Sequence, residues 1–214
     1  MLIIPAIFTD NPQELKNFFT NVSGKFERVQ VDINDGSFLG KKTIIPDSLI
    51  GVDQDLAIDF HLMVKEPINW VDKCLQAASE RIIGQIELMG NQRDFVGKVQ
   101  IGGAKVGLAL DINTPVSAID RSILADIDVF LLMGYRAGQP GQTFNESVLP
   151  KISELVELRK EDSTPFKICV DGGVWSDNIK RLFYLGVDEV VIGRRLLEGD
   201  IQDNIRLLKE ELKL

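Results

Sequence analysis

Val129-Phe130-Leu131-Leu132-Met133 carries no polar side chain. A strand with one wet face alternates apolar and polar residues. A strand buried on both faces reads as an unbroken apolar run, and a parallel sheet covered by helices supplies that double burial. Similar runs lie on both sides of it. Leu2–Ile7, Arg28–Ile33, Ala57–Met63, Arg81–Glu87 and Lys105–Leu110 precede it as strand candidates, and Phe166–Val170 and Glu189–Ile192 follow. Helical patterns come after most of them. Asp10-Asn11-Pro12 offers an N-cap and a first-turn proline. Glu66-Pro67 introduces Trp70–Ala78, and Thr114-Pro115 introduces a short element. Ser147–Lys160, Asp177–Leu185 and Leu196–Leu214 complete the set. About eight β–α units of roughly 27 residues fit the 214-residue chain. The expectation is an α/β fold, a closed (β/α)8 TIM barrel, as one domain over residues 1–214, with an open doubly wound sheet as the alternative. No Gly/Ser-rich linker or shift in composition divides the chain.

Composition excludes several function classes. Hydrophobic residues make up 44% and charged residues 26%, which rules out a disordered chain, a collagen-like fibre and a coiled coil. The net charge of −8 gives no general attraction for nucleic acid or an anionic membrane, so any bound phosphate must meet a local positive site. No apolar run has the roughly 18 residues of a membrane span. Met1-Leu2-Ile3-Ile4-Pro5 lacks a basic n-region and a cleavage site, so a cytoplasmic location is expected. Cys74 and Cys169 lie far apart inside apolar stretches, which is no disulfide framework. His61 is the single histidine, so one chain cannot build a metal site on two or three of them.

Barrel enzymes carry their chemistry at the C-terminal ends of the strands. The residues expected there are Ala6 on the first strand, Gln30, Asp32, Asn34 and Asp35 on the second, and Asp59, His61 and Met63 on the third. Gln85 and Glu87 on the fourth, Asp111 on the fifth, Met133 on the sixth, Asp171-Gly172-Gly173 on the seventh and Gly193-Arg194 on the eighth complete the mouth. Alternation puts Gln30, Asp32 and Asn34 on one face. Asp32 and Asp171, at the mouths of distant strands, can straddle a small substrate. One can remove a proton from carbon while the other returns a proton to the far face. His61 can hold a metal beside them, to stabilise charge developing on a carbonyl oxygen. Each also has a plainer role: a strand-end cap for Asp32, a tight turn for Asp171-Gly172-Gly173, a hydrogen-bonded strand residue for His61.

The order of the segments carries a resemblance. Ile4-Pro5-Ala6-Ile7, Val29-Gln30-Val31-Asp32-Ile33-Asn34-Asp35-Gly36-Ser37-Phe38 and Asp59-Phe60-His61-Leu62-Met63-Val64 come first. Gly107-Leu108-Ala109-Leu110 with Thr114-Pro115 and Leu131-Leu132-Met133 follow. Gly138, Gly141-Gln142, Phe144, and Val170-Asp171-Gly172-Gly173-Val174 with Asn178-Ile179 close the series. From Ile4 to Gly193 the chain resembles the ribulose-phosphate 3-epimerase family. The resemblance implies a ribulose-phosphate-binding barrel that interconverts D-ribulose 5-phosphate and D-xylulose 5-phosphate through an enediolate. Asp32 and Asp171 match the two aspartates that exchange the proton.

The resemblance also implies a divalent metal (zinc, iron, manganese or cobalt) on two histidines and the same two aspartates. The second histidine matches His61; the first falls at Gln30, a poorer ligand that weakens the site. Asp32, His61 and Asp171 remain as ligands. Phosphate is expected on Gly141, Gly172, Gly173 and Gly193, with Arg194 either clamping it or filling its place; Pro140 removes one N–H donor. Ala6, Gln30, Asn34, Met63, Gln85 and Met133 are expected around the sugar, and Ala6, Asn34 and Gln85 depart from the family's serine, methionine and histidine. Asp32-Ile33-Asn34-Asp35 has no lysine, unlike the Asp-x-Lys-x-x-Asp pattern of related decarboxylases. The expected partner is a small phosphorylated sugar, with no nucleic acid or membrane, in a homo-oligomer. The alternatives are an epimerase for another ketose phosphate, such as a hexulose 6-phosphate, and a catalytically weak sugar-phosphate binder.

Overall fold

The computed structural model describes residues 1–51, 55–160 and 165–213. Among them eight parallel strands close into a barrel in sequence order. They are β1 (Leu2–Ile7), β2 (Arg28–Asn34), β3 (Ala57–Met63), β4 (Arg81–Gln85), β5 (Lys105–Leu110), β6 (Val129–Met133), β7 (Lys167–Asp171) and β8 (Glu189–Ile192). β8 closes on β1 with Leu2 opposite Glu189 and Pro5 opposite Ile192. The closed barrel removes the open-sheet alternative.

β6 explains its own sequence. Phe130 and Leu132 pack outward into the large core shared with the helices. Val129, Leu131 and Met133 pack inward with Ile4, Ile83, Ala109, Cys169 and Val191. Both faces are dry, so neither tolerates a polar residue. The outer layer comprises α1 (Pro12–Val22), α2 (Val71–Gln76), α3 (Gln92–Ile101), α4 (Val148–Lys160), α5 (Ile179–Tyr184), α6 (Arg194–Leu197) and α7 (Ile201–Glu211). Asn11 caps α1 by accepting from the Gln13 N–H at 2.8 Å. None of these helices is long and apolar enough to cross a membrane.

Several elements differ from expectation. The closing helix breaks in two. Gly199 takes φ +71°, and Asp200 caps α7 by accepting from the N–H groups of Gln202 and Asp203. Leu214, the last residue of that expected helix, lies outside the described residues. β4 ends at Gln85 because the chain turns into a 3₁₀ turn at Ile86–Leu88. Pro67–Trp70 forms another 3₁₀ turn, so α2 starts only at Val71. β7 runs one residue further than expected and carries Asp171 inside the strand. α3 has only a weak apolar stripe and an interior Gly97, yet it buries Phe95, Val96 and Val99 and is capped by Asn91.

The N-terminal end of the barrel lumen is charged. Arg81 is buried between Asp59 and Glu189, with its Nη1 2.8 Å from Glu189 Oε2. Asp59, expected at the mouth, lies at this end instead, because it precedes His61 by two residues on β3 and sits one layer lower, level with Arg81. Arg28 reaches Asp59 and, at 2.6 Å, Glu80. Lys167 meets Glu189 and Lys105 meets Glu80, each at 2.8 Å. At the other end, the loops after β2 and β6 lie backbone to backbone. A Cβ on Gly40 would collide with the Gly138 carbonyl, and a Cβ on Gly138 with the Leu39 carbonyl.

Candidate active site

Register builds the site. Asp32 on β2 lies beside His61 on β3, and Asp171 ends β7 across the lumen. Alternation keeps Gln30 on the same inward face as Asp32, one layer below. His61 Nδ1 is 3.1 Å from Asp32 Oδ1 and 3.7 Å from Asp171 Oδ2. The Gln30 amide nitrogen donates to Asp32 Oδ1 at 2.8 Å and to Asp171 Oδ2 at 2.7 Å, and lies 3.5 Å from His61 Nδ1. Gln30 and His61 are wholly buried, while Asp32 and Asp171 reach the cavity above.

Burial, then the negative charge of Asp32, pushes the Asp171 carboxyl up to about 7. Burial would lower the His61 imidazole, but the hydrogen bond and charge of Asp32, with the charges of Asp171 and Glu87, outweigh it and hold it up. The group therefore retains protons that exposed carboxylates would lose.

A cavity of about 740 Å³ opens over these carboxylates. Ala6, Asp32 and Asp171 form part of its lining, with Gly141, Gly172, Gly173, Gly193 and Arg194 higher up. The Arg194 side chain is 87% exposed and paired with Glu198 at 3.0 Å, so it stands on the rim and leaves the space below open. Gly173 takes φ +69°, and a Cβ there would lie 2.5 Å from the Phe144 nitrogen, so only glycine lets the β7 turn meet the β6 loop. Asn178 holds that turn by accepting from the Trp175 N–H and donating to the Gly173 carbonyl.

Gln30, Asn34, Met63, Gln85 and Met133 are buried and lie outside the cavity lining. Asn34 accepts from the Gly36 N–H at 2.8 Å and donates to the Leu39 carbonyl at 3.2 Å, so it shapes the β2 loop. Met63 Sδ accepts from the Gly138 N–H at 3.1 Å and ties down the β6 loop. Both Gln85 amide atoms, Glu87 Oε2, His61 Nε2 and Gln30 Oε1 are buried without a hydrogen-bond partner. Tyr135 lines the cavity, and sequence reasoning gave it no role, because nothing local separates it from a loop tyrosine. Its ring fills the space that a Cβ on Gly172 would need. Burial and the charges of Asp171 and Asp32 raise its phenol well above the usual tyrosine value, so it stays a proton donor.

Asp32, His61 and Asp171 each offer one ligand atom, all within 4.8 Å of one another, a group that could hold a metal ion. Two carboxylate oxygens and an imidazole suit a divalent ion with one direction left free. Gln30 Nε2 faces all three ligand atoms and presents protons rather than a lone pair. The fit therefore holds for three ligands and fails for a fourth.

Comparison with known proteins places the chain. Residues 2–197 match the model of the Ribulose-phosphate 3 epimerase family. The Ribulose-phosphate 3-epimerase of Bacillus subtilis is 30% identical over 195 residues, 89% of each chain. That of Treponema pallidum is 29% identical over 81% of this chain and 80% of its own. Among solved structures, 3-hexulose-6-phosphate synthase from Salmonella typhimurium superposes with a TM-score of 0.71 at 14% identity, over 99% of this chain and 98% of its own. The 3-keto-L-gulonate-6-phosphate decarboxylase of Vibrio cholerae gives 0.70 at 10% identity, over 99% and 96%. At such identities those two likenesses establish the barrel alone. The family match covers the strands that carry Asp32, His61 and Asp171, and by it the chain belongs to the ribulose-phosphate 3-epimerase family.

Proposed function

We propose that this chain, as one barrel domain, is a 3-epimerase of a ketose phosphate, interconverting D-ribulose 5-phosphate and D-xylulose 5-phosphate. The observation that carries the proposal is the pair Asp32 and Asp171, bound to one amide beneath one cavity, with Asp171 pushed up to about 7. Two carboxylates this close resist carrying two charges, so the pair tends to keep one proton. That is the state a two-base exchange needs. The ionised carboxylate takes the proton from carbon 3, and the electron pair moves onto the neighbouring carbonyl oxygen to give an enediolate. The protonated partner then delivers its proton to the opposite face of carbon 3, inverting the centre. Each passage leaves the pair with one proton on the other member.

Tyr135 provides a phenolic donor at the same cavity. The backbone N–H groups of Gly141, Gly172, Gly173 and Gly193, with Arg194 on the rim, would hold the phosphate. Any divalent cation that displaced the Gln30 amide would take Asp32, His61 and Asp171 as its ligands, and its charge would favour negative charge developing on the substrate oxygen.

The test is incorporation of deuterium from solvent into carbon 3 of ribulose 5-phosphate by the purified protein. Incorporation with formation of xylulose 5-phosphate supports the reading. Exchange confined to a hexulose 6-phosphate would change the substrate. Binding of the sugar phosphate with no exchange on either would favour the non-catalytic reading, for which the tying of both carboxylates by Gln30 is the specific argument.

A further inference from the structure

Gln30 occupies the point on which the three metal-capable side chains converge. Its Nε2 lies 2.8 Å from Asp32 Oδ1, 2.7 Å from Asp171 Oδ2 and 3.5 Å from His61 Nδ1. These are hydrogen-bond lengths, against about 2.0–2.2 Å for zinc to oxygen or nitrogen, but they radiate from one centre as coordination bonds do. A primary amide has two N–H donors, and two carboxylates stand ready to accept them. Turning the amide over would aim its carbonyl at both carboxylate oxygens, so their charge fixes the orientation seen. The consequence is visible on the far side: Gln30 Oε1 is buried with no partner.

The geometry points to a positioning role in which the Gln30 amide stands where a cation would, cross-bracing Asp32 and Asp171 and leaving the protein with little affinity for divalent metal. This concerns the chain's own residues, and only its consequence for turnover rests on the epimerase reading. A cation entering this space must displace both hydrogen bonds that the amide donates to the carboxyl groups, and receives in exchange, at best, a neutral amide oxygen. A histidine at position 30 would instead complete a set of two carboxylates and two imidazoles.

The experiment is a cobalt(II) titration of the full-length, chelator-treated protein, read by the visible absorption of cobalt, with zinc affinity obtained by competition. The unaltered protein should show no stoichiometric binding in the micromolar range. Gln30→His should bind one cobalt per chain more tightly by on the order of 100-fold. Gln30→Leu, which removes the donors without adding a ligand, should bind more weakly than Gln30→His, with only Asp32, His61 and Asp171 as ligands. Stoichiometric micromolar binding by the unaltered protein would overturn the inference, as would failure of a folded Gln30→His to gain metal. A second measurement uses the unaltered protein. The Gln30 side-chain amide protons, assigned by nitrogen–proton NMR through their loss in Gln30→Leu, should keep their shifts when a chelator or one equivalent of zinc is added. A shift or loss on adding zinc would overturn the inference. Neither readout involves substrate, so absent deuterium exchange would sink the epimerase reading alone, and tight metal binding would sink this inference alone.

Discussion

At the N-terminal end of the lumen, Arg81 is buried between Asp59 and Glu189, and Arg28 and Lys167 supply a second cation to each carboxylate. At the C-terminal end, Asp32, His61 and Asp171 share one neutral amide, and buried polar atoms of Gln30, His61, Gln85 and Glu87 have no partner. Burial is similar at the two ends, but satisfaction is not: the lower-end carboxylate oxygen without a hydrogen bond, Glu189 Oε2, still meets the Arg81 guanidinium at 2.8 Å. A buried charge with its counter-charges in place fixes structure. A buried polar atom left over asks for a ligand, a water or a catalytic role. Barrel enzymes carry their chemistry at the C-terminal face, and here the division falls along that axis: the lower end is held by ion pairs and the upper end keeps bonding capacity in reserve.

Exchanging carboxylates should separate the two ends most sharply. Asp32→Asn and Asp171→Asn should each lower deuterium exchange into ribulose 5-phosphate by about 10²–10⁴-fold, with thermal unfolding little changed. A large fall in melting temperature with exchange intact would mean that the upper end is structural like the lower one. The opposite change is Arg81→Met. It should cost about 3 kcal/mol by denaturant unfolding, toward the lower part of the range for a broken buried pair, because Arg28 and Lys167 remain. Exchange per folded molecule should stay the same. A smaller effect is expected where the upper end is held by backbone. Gly173→Ala places a Cβ against the Phe144 nitrogen at positive φ and should cost about 1–3 kcal/mol. Inorganic phosphate affinity, read by calorimetry, should fall with it.

The smallest effect concerns pH at the lower rim. Hydrogen bonding from Lys105 first, then Arg28, holds Glu80 near about 2 against an ordinary 4.5. A carboxylate lowered on folding stabilises fully above its unfolded value, and that contribution is lost as pH falls from about 4.5 toward 2. The Glu80 side chain is 41% exposed, so solvent screening keeps the loss below about 1 kcal/mol. Glu80→Gln should flatten the stability profile in that window and leave the neutral range nearly unchanged.

Much of this barrel is legible because buried strands leave an unmistakable record. Val129–Met133, Ala57–Met63 and Glu189–Ile192 coincide with strands whose faces are both covered. α3 is not legible: Gln92–Ile101 is short, carries Gly97, and gains its stability from packing of Phe95 and Val99 rather than from its own periodicity. The break at Glu198-Gly199-Asp200 is hidden by the amphipathic pattern on either side. For the candidate site, strand-end position brings out Asp32, His61 and Asp171, which the fold brings together. The bond from Gln30 to Asp171 joins residues 141 positions apart, and only barrel closure creates it. Tyr135 enters the cavity by the path of its loop, which no local pattern encodes.

The Arg81–Glu189 pair also bears on how the last strand finds its place. In/out alternation along a strand has a period of two, so sliding β8 by two residues against β1 would keep every apolar side chain on its proper side. Hydrophobicity alone is blind to that error. The slip would bring Val191 or Val187 level with Arg81 and leave a guanidinium group facing hydrocarbon. The ion pair thus acts as an index mark on the seam of the barrel, distinguishing the correct closure from a shifted one that the greasy pattern would accept.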